Sequence, residues 1–282
     1  MGAMGTVVVI ARHDDRSALR VHAALGGRGH AVRLVTPEAL ALAPGWRRRS
    51  DDGETDAGIG LADGTRLDPG AGDVVLNRTV LGAVPQFARA RAADRSYALA
   101  EMHALLLCWL ADLPARVVNV ASPRGLAGAE RSLAEWLVLA HRAGFAARGM
   151  AAVGDGRRAA RPGWLAHAPA GGGLLAPGEP VPRPALAGRV PLLLLEPLPA
   201  PPTRLVVVGG RVVPAMPEAV ATCCRRLAAA AGVELLEIHC VPRDGAPPVF
   251  AAATVLPELD GEAAAAVADH LSAQLRAVRG AA

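Results

Sequence analysis

The sequence contains no lysine, and all 30 of its basic residues are arginine. Any role that needs the compact point charge of an ammonium group is therefore closed to it. Aromatic residues make up 3% of the chain, so its cores must be filled by Leu, Val and Ala. The four cysteines, Cys108, Cys223, Cys224 and Cys240, include no C-x-x-C pair. That spacing excludes the usual zinc and redox arrangements and suits buried thiols in a reducing compartment. No histidine has a second one four residues along a helix to form a metal pair.

Long apolar runs are missing too. The first, Thr6 to Ala11, is shorter than a signal-peptide core, and Val190 to Leu198 is interrupted by Pro191, Glu196 and Pro197. No membrane partner is expected, and the expected compartment is the cytoplasm. The net charge is a modest +4. Its one three-residue basic run, Arg47–Arg49, meets Asp51, Asp52 and Glu54 at once without interleaved aromatics. It reads as a solvated loop, and no nucleic-acid partner is expected. There is no G-x-G-x-x-G after the first strand and no Gly-x-Ser-x-Gly elbow.

What is present is the balance of a globular α/β protein. With 282 residues, 52% of them hydrophobic and 20% charged, the chain is long enough for two subdomains with their own cores. Thr6–Ala11 is a β-branched run without alternation, the pattern of a strand covered on both faces. Asp14 or Asp15 caps the next helix, whose apolar positions Ala18, Leu19, Val21 and Leu25 keep helical spacing until Gly26, Gly27 and Gly29. Ala31–Val35 completes a βαβ opening. Residues 44–73 read as loops around a short hairpin turning at Asp63-Gly64. Strands follow at Val74–Leu76 and Val117–Asn119, with helices at Asp94–Leu113 and Leu133–Ala143. From Ala146 to Gly188 any long element is broken by Gly171–Gly173 and by Pro177, Pro180, Pro182 and Pro184. Beyond it come a strand at Val190–Leu195 and a hairpin, Arg204–Val208 with Arg211–Val213, turning at Gly209-Gly210. Helices at 218–231 and 262–278 flank a strand pair, Leu235–Val241 and Val249–Val255.

Polar residues fall at the strand ends. Asn77 and Arg78 follow Leu76, and Asn119 follows Val118. The carboxyl ends of parallel strands are where open α/β sheets bind ligands, and an arginine there suits bidentate capture of a carboxylate or phosphate.

The order of these pieces resembles the ATP-grasp superfamily, in particular carboxylate–amine ligases of the ribosomal protein S6 modification type. The matching stretches are Leu76-Asn77-Arg78, Val117-Val118-Asn119, Leu193-Leu194-Leu195-Glu196 and, most specific, Arg204-Leu-Val-Val-Val-Gly-Gly-Arg-Val-Val-Pro-Ala215. The resemblance covers nearly the whole chain and implies an α/β architecture in two parts. Residues 1–120 would form an N-terminal pre-ATP-grasp, Rossmann-like domain. Residues 121–282 would form an ATP-grasp-like α+β domain with a shortened lid at about 145–190. The resemblance implies a ligand site in the cleft between them, formed by Asn77, Arg78, Asn119 and Arg204, with nucleotide contacts from Arg131 and Glu196.

The departures bear on chemistry. Members of the superfamily hold nucleotide phosphates with two lysines and magnesium with acidic and Asn side chains on the last strands. This chain has no lysine, and its matching metal positions read His239, Ala253 and Val255. No metal ligand and no certain cofactor are therefore expected. The expected function is a degenerate or repurposed ATP-grasp-like protein that binds a peptide, a small molecule or a partner protein within a biosynthetic pathway. The alternative is an active ligase, using ATP and magnesium through non-standard ligands to form an acyl phosphate and then an amide. A glycosyltransferase-like reading rests on Gly27-Arg28-Gly29-His30-Ala31-Val32 alone.

Overall fold

The computed structural model describes residues 5–51, 54–153, 164–167 and 192–281. The chain divides into two compact units, Met1–Ala129 with Leu256–Ala282, and Glu130–Val255.

In the first unit β1 (Val7–Ile10) is buried along its whole length, as its unbroken β-branched run requires. Asp15 caps α1 (Arg16–Gly27), its side chain accepting from the Ala18 N–H at 3.0 Å. Strand β2 (Val32–Val35) and the short helix α2 (Pro37–Ala41), capped by Thr36, come next. Strands β3 (Gly45–Asp51), β4 (Glu54–Gly60) and β5 (Arg66–Leu67) form an antiparallel sheet of their own. The basic run Arg47–Arg49 thus lies in a strand paired with Asp56–Gly58, not in a solvated loop. Trp46 explains the difference. It pairs with Ile59 and meets Trp109 edge-on at 6.2 Å between ring centroids, so burial of one aromatic fixes a strand that its arginines do not announce.

Strand β6 (Val74–Asn77), helix α3 (Ala92–Asp112) and strand β7 (Arg116–Val118) complete the run. The parallel sheet has the order β2-β1-β6-β7, and Val8, Ile10, Val75 and Val117 share a core with Leu106, Trp109 and Leu110 of α3.

The second unit opens with α4 (Leu133–Arg142), started by a capping box between Ser132 and Glu135. Strands β8 (Met150–Val153), β9 (Leu165–His167) and β10 (Leu192–Leu195) pair antiparallel in the order β8-β10-β9. Short strands therefore occur where the sequence offers mainly breaks, while Gly171–Gly173 and the four prolines lie outside the described residues. The hairpin forms as expected, from β11 (Thr203–Val208) and β12 (Arg211–Val213). Helix α5 (Glu218–Ala231) stops at Gly232, whose φ of 71° is one that glycine adopts without strain. Strands β13 (Leu235–Val241) and β14 (Val249–Thr254) finish a sheet of order β12-β11-β13-β14.

Alternation gives this sheet two faces. Leu205, Val207, Leu236, Ile238 and Cys240 pack with Trp136, Phe145, Leu227 and Phe250. Each such Leu or Ile side chain contributes about 1.5–3 kcal/mol by leaving water. The opposite face presents Arg204 beside His239 and Val206 beside Glu237.

The last helix, α6 (Gly261–Ala281), belongs to the first unit and packs on α1. Arg28 pairs with Asp269 at 2.8 Å, and His30 shares a hydrogen bond with Ser272 at 2.9 Å. Just before the helix, the Leu259 N–H donates to Ser17 Oγ, and Arg20 donates to the Leu259 carbonyl. No helix among the described residues is long and apolar enough to cross a membrane.

Candidate functional site

In the first unit the polar residues at the strand ends come together. Asn77 closes β6 and is 2% exposed; its Nδ2 donates to the carbonyls of Asn119 at 2.9 Å and Leu126 at 2.6 Å. Its Oδ1 accepts from the Thr79 hydroxyl at 2.7 Å. Arg78, 7% exposed, donates through Nε and Nη2 to both carboxylate oxygens of Asp15 at 2.7 and 3.3 Å. Its Nη1 donates to the Pro257 carbonyl at 2.9 Å. Asn119 is buried beside them. The donors of Asn77 and Arg78 are thus turned into the protein, where they tie the loops after β1, β6 and β7 to the segment ahead of α6. The spacing of Asp15 as a helix cap is legible in the sequence; its second role as partner of Arg78 is not.

The second unit places its three expected residues in separate surroundings. Arg131, half-buried, lies over the Trp136 ring at 5.3 Å and donates to the Ala231 carbonyl at the end of α5, where a cation is favoured by the helix dipole. Glu196, just past β10, accepts from the Gly149 N–H through Oε2, and its carbonyl accepts from Arg148. Burial lowers the Arg148 pKa, and the Glu196 charge opposes that shift. The fit at Gly149 is close: a Cβ would stand 3.0 Å from both Glu196 Oε2 and the Trp164 ring, so a larger residue would have to shift one of these side chains. Arg204 belongs to a third grouping. Its Nη1 lies 3.7 Å from Glu237 Oε2, while the other oxygen of Glu237 lies 2.7 Å from His239 Nε2.

Glu237 is the residue the sequence reading passes over. The signal is present, since it is the one carboxylate in strand β13, whose other residues apart from His239 are apolar. Its side chain is 6% exposed, and a carboxylate so deeply buried requires a charged or hydrogen-bonding partner. Arg204 and His239 supply them.

A magnesium ion wants several hard oxygen ligands. The positions where the resemblance puts them hold an imidazole already engaged with Glu237, the methyl of Ala253 and the buried Val255. No group of three or more His, Cys, Asp or Glu able to hold a metal exists among the described residues. Cys224 does not help: its pKa is pushed up by its hydrogen bond with Cys240 and by burial, which keeps it protonated. The described residues at these positions do not fit a magnesium site.

The parallel sheet of the first unit, the hairpin-bearing antiparallel sheet of the second and the small three-stranded sheet between α4 and β11 in sequence define an ATP-grasp fold. No protein-family model and no curated protein matches the sequence. Solved structures do match in fold over nearly the whole chain. The macrocyclase MdnC bound with precursor peptide MdnA, from Microcystis aeruginosa MRC, is 15% identical; the match covers 95% of this chain and 99% of that one, with a TM-score of 0.73. The ATP-grasp ligase PsnB, complexed with minimal precursor, Mg and ADP, is 18% identical over 96% of this chain and 98% of that one, with a TM-score of 0.67. A Chryseobacterium gregarium RiPP-associated ATP-grasp ligase, in complex with ADP and a leader and core peptide, is 15% identical, covers 96% and 97%, and has a TM-score of 0.70.

Proposed function

We propose that this chain is a repurposed ATP-grasp-like protein that binds a peptide in a biosynthetic pathway and does not run magnesium-dependent ligation. The observation that carries the second half is the donor set. Metal positions hold His239, Ala253 and Val255, the nearest carboxylate is committed to Arg204 and His239, and the sequence has no lysine for the nucleotide phosphates. Without metal or ammonium groups, the charge developing on a transferring phosphoryl group has no clamp. The first half is supported by the solved neighbours, which carry precursor, leader or core peptides and match this chain nearly end to end. Of the residues expected to meet a ligand, Arg204 and Arg131 are partly exposed, while Asn77 and Arg78 hold the scaffold.

Calorimetric titration with ATP, with and without magnesium, tests the loss of ligation. The expected result is no binding that magnesium strengthens and no turnover of ATP. Magnesium-strengthened binding would restore the active ligase. For the peptide half, selection from a displayed peptide library should enrich a shared sequence; folded protein that enriches none would remove the peptide from the proposal.

A further inference from the structure

Phenylalanine is rare in this chain, which has three, and two of them serve the core of the second unit. Phe145 and Phe250 are buried there and meet edge-on. Phe87 is different. It lies on a single 3₁₀ turn, Pro85–Phe87, ahead of α3, and it is 43% exposed. The side chain of Gln86 ties the turn to the end of α2 by donating to the Ala41 carbonyl. That bond brings together the segments that carry Phe87 and Leu42, and Leu42 is 48% exposed. Backbone N–H groups of Phe87, Ala88 and Ala90 donate to the carbonyls of Val84, Pro85 and Phe87, which holds the turn in one shape. Two bulky apolar side chains are thus presented to solvent on a fixed frame, and little freedom is lost when a partner covers them.

The charge beside them is mostly of one sign. From Pro85 to Arg95 the exposed charged residues are Arg89, Arg91 and Arg95 against one carboxylate, Asp94. Apolar anchors flanked by positive charge match a partner that carries apolar side chains among acids. We infer that Leu42, Phe87, Arg89 and Arg91 form a docking surface for an acidic peptide segment. Its apolar side chains cover Leu42 and Phe87, and its carboxylates meet the two guanidinium groups. The inference rests on the reading that the partner is a peptide, and it gives that partner a place in the first unit and a sign of charge. A nucleic-acid strand is the poorer occupant. Its bases need a row of rings to stack on, and here alanines, not aromatics, separate the arginines that follow Phe87.

The test is fluorescence anisotropy of the full chain with two labelled synthetic peptides, one with Leu and Phe set among glutamates and one with lysine in place of every glutamate. The expected result is binding of the acidic peptide, weakened by added salt because exposed charges are screened, and no binding of the lysine peptide. Leu42→Ala with Phe87→Ala should weaken it by about ten-fold or more, the loss typical of anchor residues. Arg89→Glu with Arg91→Glu should reverse the preference, so that the lysine peptide binds instead; an apolar patch that is merely adhesive would show no reversal. Should a variant fail to fold, the comparison of the two peptides on the wild type still decides. Folded wild-type protein that does not bind the acidic peptide overturns this inference, while a library selection that enriches sequences without acids keeps the peptide reading. Equal binding of both peptides, or binding unchanged by Arg89→Glu with Arg91→Glu, also overturns it. A labelled oligothymidylate that binds more tightly than the acidic peptide, or a wild-type dimer that Phe87→Ala turns into a monomer in sedimentation, gives the surface to another occupant and overturns it as well.

Discussion

Replacing Arg78 with Ala separates a scaffold role from a ligand role. The substitution removes the ion pair to Asp15 and the hydrogen bond to Pro257, both at sites largely closed to water. Asp15, 18% exposed in the intact pair, keeps its bond from the Ala18 N–H but loses the guanidinium that neutralises it, and the Pro257 carbonyl loses its donor. Removing one partner of a buried pair costs about 3–5 kcal/mol, because the remaining charge stays desolvated. The surviving cap at Asp15 places the expected loss in the lower half of that range. At about 2–4 °C per kcal/mol for a protein of this size, the melting midpoint should fall by about 6–15 °C. Urea unfolding followed by circular dichroism measures the loss directly. In Asp15→Ala with Arg78→Ala the two costs should overlap, giving a coupling energy of about 1–3 kcal/mol. If Arg78→Ala costs less than about 1 kcal/mol, or the two substitutions are simply additive, the strut does not exist and Arg78 returns to the ligand-facing role its strand-end position suggests.

Two further outcomes follow from the same contacts. Asn77→Ala strands the carbonyls of Asn119 and Leu126 and removes the acceptor for Thr79, so urea titration should show a loss of about 2–4 kcal/mol; Asn77→Asp, which keeps only the acceptor, should recover little of it. Of the four thiols, Cys108 is exposed and Cys223, Cys224 and Cys240 are buried. A chromogenic disulfide reagent should therefore titrate one thiol at once and the other three only on unfolding; two or more fast thiols would contradict the packing of α5 against β13.

What the sequence makes legible is local. The β-branched run of β1, the Asp15 cap, the Gly-Gly turn between β11 and β12 and the Gly232 stop of α5 each need only their near neighbours, and each is present in the structure. Strand β3 escapes because its identity comes from Trp46 meeting Trp109, a contact across 63 positions that three consecutive arginines conceal. The same reason governs the strand ends. That Asn77 and Arg78 are polar and adjoin a strand is visible, but whether their donors face a ligand or the scaffold depends on Leu126 and Pro257, which no local pattern connects to them. Glu237 is hidden differently. A charge at an interior strand position is plain to see, but that it is satisfied by a residue on the neighbouring strand becomes evident only once the register of β11 on β13 is known.

The hydrogen bond from Arg78 to Pro257 joins positions 179 apart, and every residue of the second unit lies between them. On a ribosome adding about 5–20 residues per second, Arg78 and Asp15 emerge roughly 10–35 s before their third partner is made. The second unit, contiguous in the chain, has all its strands available before that moment. The first unit, although its sheet is encoded at the start, can be locked only after the second is fully synthesised. Nascent chains stalled ahead of Pro257 should therefore carry a first unit that proteases cut easily, and release of the segment from Pro257 through α6 should be the event that protects it.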